Sequence, residues 1–254
     1  MKGIFNKLFG KSTQQIAETQ GEIKPQKTLW SPINYNLLFD SPVYDDQALT
    51  QQRVGELMIN SGFVIASDPF FLSHMEPFNK PVPNGNHPVD IVFIELENAG
   101  KRVAISRLKF SKEQALKWQL AVTDKDDTSE LNEDDYIGYP VDAGLGCFID
   151  ANFAKTFDEV MDKHYKANGP DSNYYDDVLA SEFKNNAFNQ NALNDIGDYV
   201  NHNPIKDSNQ NVTIFSSGVG DGTYPSYWGI DRNGQTCELI TDFLIINPLD
   251  EKST

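Results

Sequence analysis

The sequence predicts an α+β fold with largely antiparallel sheets, a central helical pair and a short N-terminal helix. Short apolar or alternating segments bounded by turn residues recur on both sides of residues 150–185, which is typical of strands joined by tight connections. Within that region, apolar side chains recur at helical spacing. Strands that flank a helical region favour an α+β fold over an alternating α/β one. We divide the chain into an N-terminal helix with a polar tether (1–27) and a single α+β domain (28–250).

Four strands are expected in the first half of the chain, because each segment is apolar or alternating and ends at turn residues: Val54–Ile59, Gly62–Ala66, Val89–Glu97 and Arg102–Phe110. Asn98-Ala99-Gly100 separates the last two and predicts a hairpin. Residues 77–88 contain four prolines and predict a loop with restricted φ angles. Lys117–Thr123 is short and apolar, so helix and strand remain alternatives there.

Two helices are expected in the middle of the chain. The first has one apolar face, formed by Phe153, Phe157, Val160, Met161 and His164. Asp150 or Asn152 is suited to cap this helix, and Asn168-Gly169-Pro170 is suited to end it. A second short helix, ending near Asn185, is indicated by Tyr175, Leu179 and Phe183.

The remaining strands surround these helices. The Asn-rich residues 186–210 predict an irregular surface connection, and Arg232-Asn233-Gly234 predicts a hairpin turn. Strands are expected at Tyr139–Asp142, Cys147–Ile149, Val212–Phe215, Ser226–Asp231 and Gln235–Ile246.

Charge and composition exclude several functional classes. The chain has 21 Lys and Arg residues against 37 Asp and Glu residues, a net charge of −16 over 254 residues. Because such a chain repels a phosphate backbone, we expect no nucleic-acid partner, and a basic protein is the partner that its charge favours. The two cysteines exclude a disulfide framework.

Residues 1–27 lack the uninterrupted apolar stretch of a secretory signal, since Gly3, Asn6 and Lys7 divide it. We therefore expect a cytoplasmic protein. A short apolar arc of barely two helical turns is formed by Ile4, Phe5, Leu8 and Phe9. This arc predicts a helix followed by a tether, and the alternative of a membrane-surface anchor needs more buried area. No stable membrane association is expected.

A strand, a glycine-rich turn and a helix follow one another over residues 141–150. In one interpretation, Asp142 and Asp150 face a common binding site. In the other, Asp142 accepts N–H bonds within a tight turn and Asp150 caps the helix. A dinucleotide turn is disfavoured, because Ile149 replaces its third glycine and no βαβ unit surrounds it. Cys147 fits a small core residue better than a nucleophile activated by the helix.

Residues 215–229 combine a glycine-rich loop with an aromatic cluster. Gly220 and Asp221 lie in a loop that would expose backbone amides and one carboxylate. Aromatic faces beside a polar loop suit a ligand or a partner side chain. The alternative is a wide hairpin whose aromatic rings lie in the core. The rings in question are Tyr224, Tyr227 and Trp228.

An alternative to a binding role is that the protein is an enzyme that uses clustered aspartates. Asp142, Asp221 and Asp242 would converge as catalytic residues, with Asp68 or Asp150 beside them. Such carboxylates share a proton or hold a hard divalent cation. No cofactor is predicted, and magnesium is the ion that this alternative would use.

Calcium is a second metal alternative, in the acidic loop at residues 124–135. Six oxygen-bearing residues there fall at calcium-loop offsets: Asp124, Asp126, Thr128, Glu130, Asn132 and Asp135. Ser129 replaces the glycine that such a loop requires, so a solvated charge run is favoured. The sequence has no G-x-S-x-G or H-E-x-x-H motif, and its four histidines share no ligand spacing.

Several segments occur in order over about residues 54–244: Ser61–Pro69, Val82–Val89, Arg102–Ala104, Leu108–Phe110, Trp118–Ala121, Tyr139–Asp150, Ser216–Gly222, Trp228-Gly229 and Thr241–Phe243. In these segments the chain resembles a bacterial family catalogued as domain of unknown function 4241. The resemblance implies one shared domain and carries no established activity. This chain departs from the family at Gln119, where an acid is usual, and at Val219, where tryptophan is usual. If that acid is catalytic in relatives, this chain lacks it.

Two classes of function remain. The first is an acidic protein-binding module, immunity-like or regulatory, whose partner is a basic protein. Its binding residues would be Asp68, Asp150, Gly220, Tyr224, Tyr227 and Trp228. The second is an enzyme that uses the clustered aspartates, with or without a divalent cation.

Overall fold

A computed structural model describes residues 24–248, and these residues form two antiparallel sheets with few helices. The predicted class, an α+β fold with mostly antiparallel sheets, is confirmed at this level. The N-terminal helix predicted from Ile4, Phe5, Leu8 and Phe9 lies outside the described residues. Residues 24–27 dock on the acidic loop, where the Lys27 amide donates to Thr128 Oγ1 at 2.9 Å.

The larger sheet contains β1 (Val43–Tyr44), β2 (Gln47–Ile59), β4 (Gly85–Leu96), β5 (Gly100–Lys109), β6 (Lys117–Leu120), β7 (Gly138–Val141), β11 (Gly222–Ile230) and β12 (Thr236–Asp242). Its strand order is β1-β2-β4-β5-β12-β11-β6, and β7 pairs with β11. The smaller sheet contains β3 (Val64–Ser67), β8 (Leu145–Asp150), β9 (Tyr199–His202) and β10 (Val212–Ser216), in the order β3-β8-β10-β9.

Sequence patterns identify most of these strands. The predicted hairpin is formed by β4 and β5, and the ambiguous Lys117–Thr123 contains the strand β6. Two expectations need correction. The loop predicted at residues 77–88 ends earlier, because residues 85–88 belong to β4 and pair with β2. The second is β9, which lies within residues 186–210, a segment predicted to be irregular. Its backbone pairs with β10, so tertiary pairing imposes a strand that its Asn-rich sequence does not signal.

The helices are α1 (Asn36–Asp40), a 3-10 turn (Leu72–His74), α2 (Ala151–Asn168), a π-helix (Tyr175–Leu179) and α3 (Ala180–Asn185). Residues 151–168 and 175–185 are helical, and the arrangement of these two regions as a central pair stays a prediction. Asp150 caps α2, as one of the two sequence alternatives proposed, by accepting bonds from the amides of Asn152 and Phe153. None of the helices in the described part of the chain has the length and apolarity needed to cross a membrane.

Buried apolar side chains form three layers. Successive side chains of β8 point to opposite faces of the sheet and so contribute to two of these layers. Phe148 packs between the two sheets, whereas Cys147 and Ile149 point to the other face and pack against the helices. The outer face of the larger sheet is covered by the segment that carries Tyr35 and Leu38. The smaller sheet is therefore buried on both faces, and its functional surface is confined to strand ends and connecting loops.

We expect Gly197→Ala to lower the free energy of unfolding by about 3 kcal/mol, through an overpacked contact and a strained backbone. A Cβ atom at this position would lie 1.9 Å from the carbonyl oxygen of Phe183 in α3, and φ is +84°. Gly234→Ala is the matched control, because its φ is +75° and no atom lies within 4 Å. It should lose only about 1 kcal/mol from backbone strain. Urea denaturation compares the two variants, and equal losses would contradict the close approach at Gly197.

Candidate functional site

A cavity of about 600 Å³ opens beside the smaller sheet, between the strand ends and the helical region. Its wall contains four aromatic side chains, Phe70, Tyr165, Tyr175 and Phe183. The rest of the wall is mainly small or polar and includes Ala143, Gly144, Gly197 and Ser216. A cavity of this size, with apolar rings and a few polar groups, has the character of a ligand site.

The buried carboxylate of Asp68 positions one side of the cavity. Asp68 follows β3 and has no exposed surface. Its Oδ2 accepts from the amides of Asp142 at 3.0 Å and Ala143 at 2.8 Å, and its Oδ1 accepts from the Phe70 amide at 2.9 Å. Asp68 therefore fixes both the turn that leads into β8 and the segment that carries Phe70.

The two glycine/aspartate motifs lock together at this turn. The Ser217 amide donates to the Gly144 carbonyl at 3.0 Å, and the Gly144 amide donates to Asp221 Oδ1 at 3.1 Å. Gly144 has φ of +64°, which glycine adopts at little cost. The side chains of Asp142 and Asp221 stay exposed on this edge. The structure thus brings together two candidate residues that lie far apart in the sequence.

Asp150 lies at the opposite end of β8 and belongs to a different cluster. Its Oδ1 caps α2, and its Oδ2 accepts from the amides of Asn60 at 2.8 Å and Ser61 at 2.7 Å. The six residues of β8 separate its two ends by about 17 Å. The hypothesis that Asp142 and Asp150 face one site is therefore corrected, because the strand between them holds them apart. Asp150 acts as a scaffold for two turns.

The aromatic cluster after the second motif also needs correction. Tyr224, Tyr227 and Trp228 are 3%, 9% and 0% exposed, so these rings pack in the core and present no contact surface. From the core, Tyr224 Oη donates to the Gly220 carbonyl at 2.7 Å and so fixes the position of the loop. The apolar residue that this loop exposes is Val219, at 66%.

Asp242 lies on the face of the larger sheet that residues 29–44 cover. Its Oδ2 accepts from Tyr35 Oη at 2.6 Å, and its Oδ1 accepts from the Leu244 amide at 2.8 Å. Burial raises the pKa of Asp242 to about 6, and the two hydrogen bonds oppose this effect. Its carboxylate is committed to Tyr35 and not to the edge that carries Asp142 and Asp221.

No group of three or more His, Cys, Asp or Glu side chains within residues 24–248 is arranged to hold a metal ion. In the acidic loop, Thr128 Oγ1 donates to the Lys27 carbonyl at 2.8 Å, and Asp126 accepts from the Thr123 amide at 2.6 Å. Cys147 is fully buried, and burial raises the pKa of its thiol well above the ordinary value, with Asp68 adding to the effect. The enzymatic alternative stays a prediction.

Asp198 is not among the site residues predicted from the sequence, yet it adjoins two residues of the cavity wall, Gly197 and Ser216. Its carbonyl accepts from the Ser216 amide at 2.8 Å, and it adjoins Gly197. Burial raises the pKa of the Asp198 carboxyl, and a hydrogen bond with the Ser216 side chain opposes that shift. The available signal was an aspartate beside a glycine, as in the two recognised motifs, but it lay in a segment assigned to a surface connection.

Acidic residues outnumber basic ones among the sequence neighbours of the residues that line the cavity. None of its lining residues is charged, yet six acids and two lysines are their direct neighbours in sequence: Asp142, Asp171, Asp176, Glu182, Asp195, Asp198, Lys166 and Lys184. Lys184 Nζ is engaged by the carbonyls of Ala192 and Asp195. The surroundings therefore favour a cationic group over an anionic one.

Comparison with known proteins identifies one family. A family model described as "Protein of unknown function (DUF4241)" matches residues 57–241, which include both glycine/aspartate motifs. No curated protein and no solved structure matches the chain.

We expect Asp68→Asn to lower the free energy of unfolding by about 1–3 kcal/mol, because an amide side chain accepts at one oxygen only, so at least one backbone amide loses its acceptor. The side-chain nitrogen replaces one of the two oxygens, so either the Phe70 amide or the Asp142 and Ala143 amides lose their acceptor. Asp134→Asn, at an exposed position of the acidic loop, removes the same charge and should change stability by less than about 0.5 kcal/mol. Chemical denaturation measures both variants, and similar values for the two would contradict this role of Asp68.

Asp242→Asn should change the pH dependence of stability. The native pKa of Asp242, about 6, exceeds its ordinary value of 3.8, so the native state binds this proton more tightly than the unfolded chain. The resulting stability is present below about pH 4 and is lost as the pH rises through 6, by roughly 3 kcal/mol. The difference in free energy of unfolding between wild type and Asp242→Asn should shift by that amount in favour of the variant. Urea titrations at pH 4, 5, 6 and 7 measure it, and a constant difference would refute the assignment.

Proposed function

The chain belongs to the DUF4241 family of proteins of unknown function, and for this member we propose a role as an acidic protein-binding module with a basic partner. The observation that carries the proposal is the edge where the two glycine/aspartate motifs interlock. There, exposed Asp142 and Asp221 stand beside an open cavity with aromatic walls. The role is regulatory or immunity-like, in the sense that the module neutralises or senses its partner.

The use of the other carboxylates supports binding over catalysis. Asp68, Asp150 and Asp242 accept hydrogen bonds from backbone amides, and a tyrosine hydroxyl takes the remaining oxygen of Asp242. These carboxylates fix turns and a helix terminus, so they already have hydrogen-bond donors within the fold. The carboxylates of Asp142 and Asp221 remain accessible to solvent at the edge of the cavity.

The charge of the whole chain supports the choice of partner. A net charge of −16 produces a field that attracts basic proteins and raises their association rate. The edge of the cavity then allows close contact, because a partner backbone can approach a glycine-rich loop without meeting side chains. A cytoplasmic setting is part of the proposal, and both cysteines are buried free thiols, which suits a reducing compartment.

We expect Asp142→Lys to slow association with the partner roughly two- to fivefold at low salt, because charges at the rim of an interface act mainly on the association rate. The matched control is Asp134→Lys in the acidic loop, which makes the same change of net charge at another exposed position. Partners are captured from a native lysate at low and moderate salt and identified, and their kinetics with each variant are then measured by surface plasmon resonance.

Two results would refute the proposal. One is that no specific protein is retained at either salt concentration. The other is that Asp142→Lys and Asp134→Lys slow association equally, since the effect would then come from net charge and not from the edge of the cavity.

A further inference from the structure

Asp198 is held in place at the cavity by its own neighbours. It follows Gly197 of the wall, and its carbonyl accepts from the amide of Ser216, another residue of the wall, at 2.8 Å. It also acts electrostatically on Tyr175, another lining residue. Three residues of the wall are thus within its influence, and its half-buried position keeps bulk water from solvating it fully.

In the described part of the chain, no lysine, arginine or histidine is paired with this carboxylate. Lys101 and Arg102 lower its pKa, but Lys101 Nζ lies 3.9 Å from the centre of the Phe188 ring, and Arg102 Nη1 donates to the Lys101 carbonyl at 2.9 Å. Asp195 adds a further negative charge. A partly buried carboxylate without a direct counter-ion is costly unless a ligand supplies one.

The aromatic rings in the cavity wall also favour a cationic ligand. The Tyr175 ring packs against Phe183, with centroids 5.7 Å apart, which fixes its orientation. Tyr175 also begins the π-helix, an element that is rare and often found at functional sites. The face of a tyrosine attracts a cation that lies within about 6 Å of the ring centre.

We propose that the cavity binds the cationic side chain of an arginine or lysine, with Asp198 as the anionic anchor and Tyr175 as the aromatic face. This inference rests on the proposed function, in which the partner is basic, and names the part of that partner that enters the cavity. The aliphatic stem of the inserted side chain packs on the apolar wall, which includes Phe70 and Phe183.

The test uses small capped amino acids as probes. N-acetyl-arginine methylamide and N-acetyl-lysine methylamide carry the cation, whereas N-acetyl-citrulline methylamide has nearly the shape of arginine without its charge. Each is titrated into the ¹⁵N-labelled full chain to about 20 mM, a range that detects millimolar affinities. At least one cationic probe should shift the amide signals of Gly197, Tyr175 and Ser216 in a saturable manner, and citrulline should bind at least about tenfold more weakly.

Variants assign the binding to Asp198. Asp198→Asn preserves the shape of the side chain and should weaken binding of the cationic probe at least about tenfold. Tyr175→Leu should weaken binding of that probe several-fold. Asp134→Asn removes the same charge from the acidic loop and should leave affinity unchanged. The wild-type-like spectrum of each variant confirms that it is folded.

Three results would overturn the inference: no saturable shift with either cationic probe, equal binding of citrulline, or equal loss in Asp198→Asn and Asp134→Asn. Each of them is distinct from failure of the proposed function. If the probes fail but Asp142→Lys still slows a captured partner, the partner docks on the edge without entering the cavity. If the probes bind but no partner is captured, the cavity is a cation site and the protein-binding role fails.

Discussion

The arrangement of the candidate site depends on one buried carboxylate, that of Asp68. Three backbone amides donate to it, from Phe70 on one side and from Asp142 and Ala143 on the other. It therefore joins the end of β3 to the turn that precedes β8, and that turn holds the second motif through the amide and carbonyl of Gly144. Without this acceptor, three backbone amides would lose their partner, and nothing would link the turn to the end of β3 through Asp68.

The chain uses aspartate in two physically different ways. Where an aspartate is buried, as at Asp68 and Asp150, amide groups compensate its charge, and the result is a rigid turn or a capped helix. At Asp90 the compensation comes from cations, since Arg53 and Arg107 both bind it. Among residues 24–248, Asp198 has neither a set of amides nor a paired cation, and this difference separates it from the aspartates that hold turns and helix ends. Residue type alone does not reveal the distinction, because each of these positions is simply an acid in the sequence.

Elements of the fold that depend on local periodicity can be predicted from the sequence, whereas those that depend on tertiary pairing cannot. The hairpin of β4 and β5, the strand β10 and the amphipathic helix α2 follow from local periodicity, which the tertiary structure preserves. The strand β9 does not, because pairing with β10 defines it.

The site is harder to predict than the fold for the same reason. The two glycine/aspartate motifs were identified from sequence, since glycine marks backbone that departs from regular structure. Their pairing through Gly144 was not predictable, because it joins loops about 75 residues apart. For the rings at Tyr227 and Trp228 the sequence leaves two alternatives, a contact surface or the core, since an alternating strand does not reveal which of its faces is covered. Asp198 carries no local signal strong enough to distinguish an anchor from a solvated charge.

Net charge and local geometry have separate consequences for recognition. A charge of −16 acts over about one Debye length, roughly 8–10 Å, on any basic molecule, so it accelerates encounters without selecting among them. Selection requires groups whose solvation is already reduced, since only there does a single charge contribute more than a screened surface pair. Asp142 and Asp221 are exposed, so their charges mainly accelerate encounters. Asp198 is half-buried beside Gly197 and Ser216 of the cavity wall, so its charge can contribute to selection. A basic partner would therefore be attracted by the whole surface and distinguished at the cavity, because there its cation meets a carboxylate that the fold leaves without one.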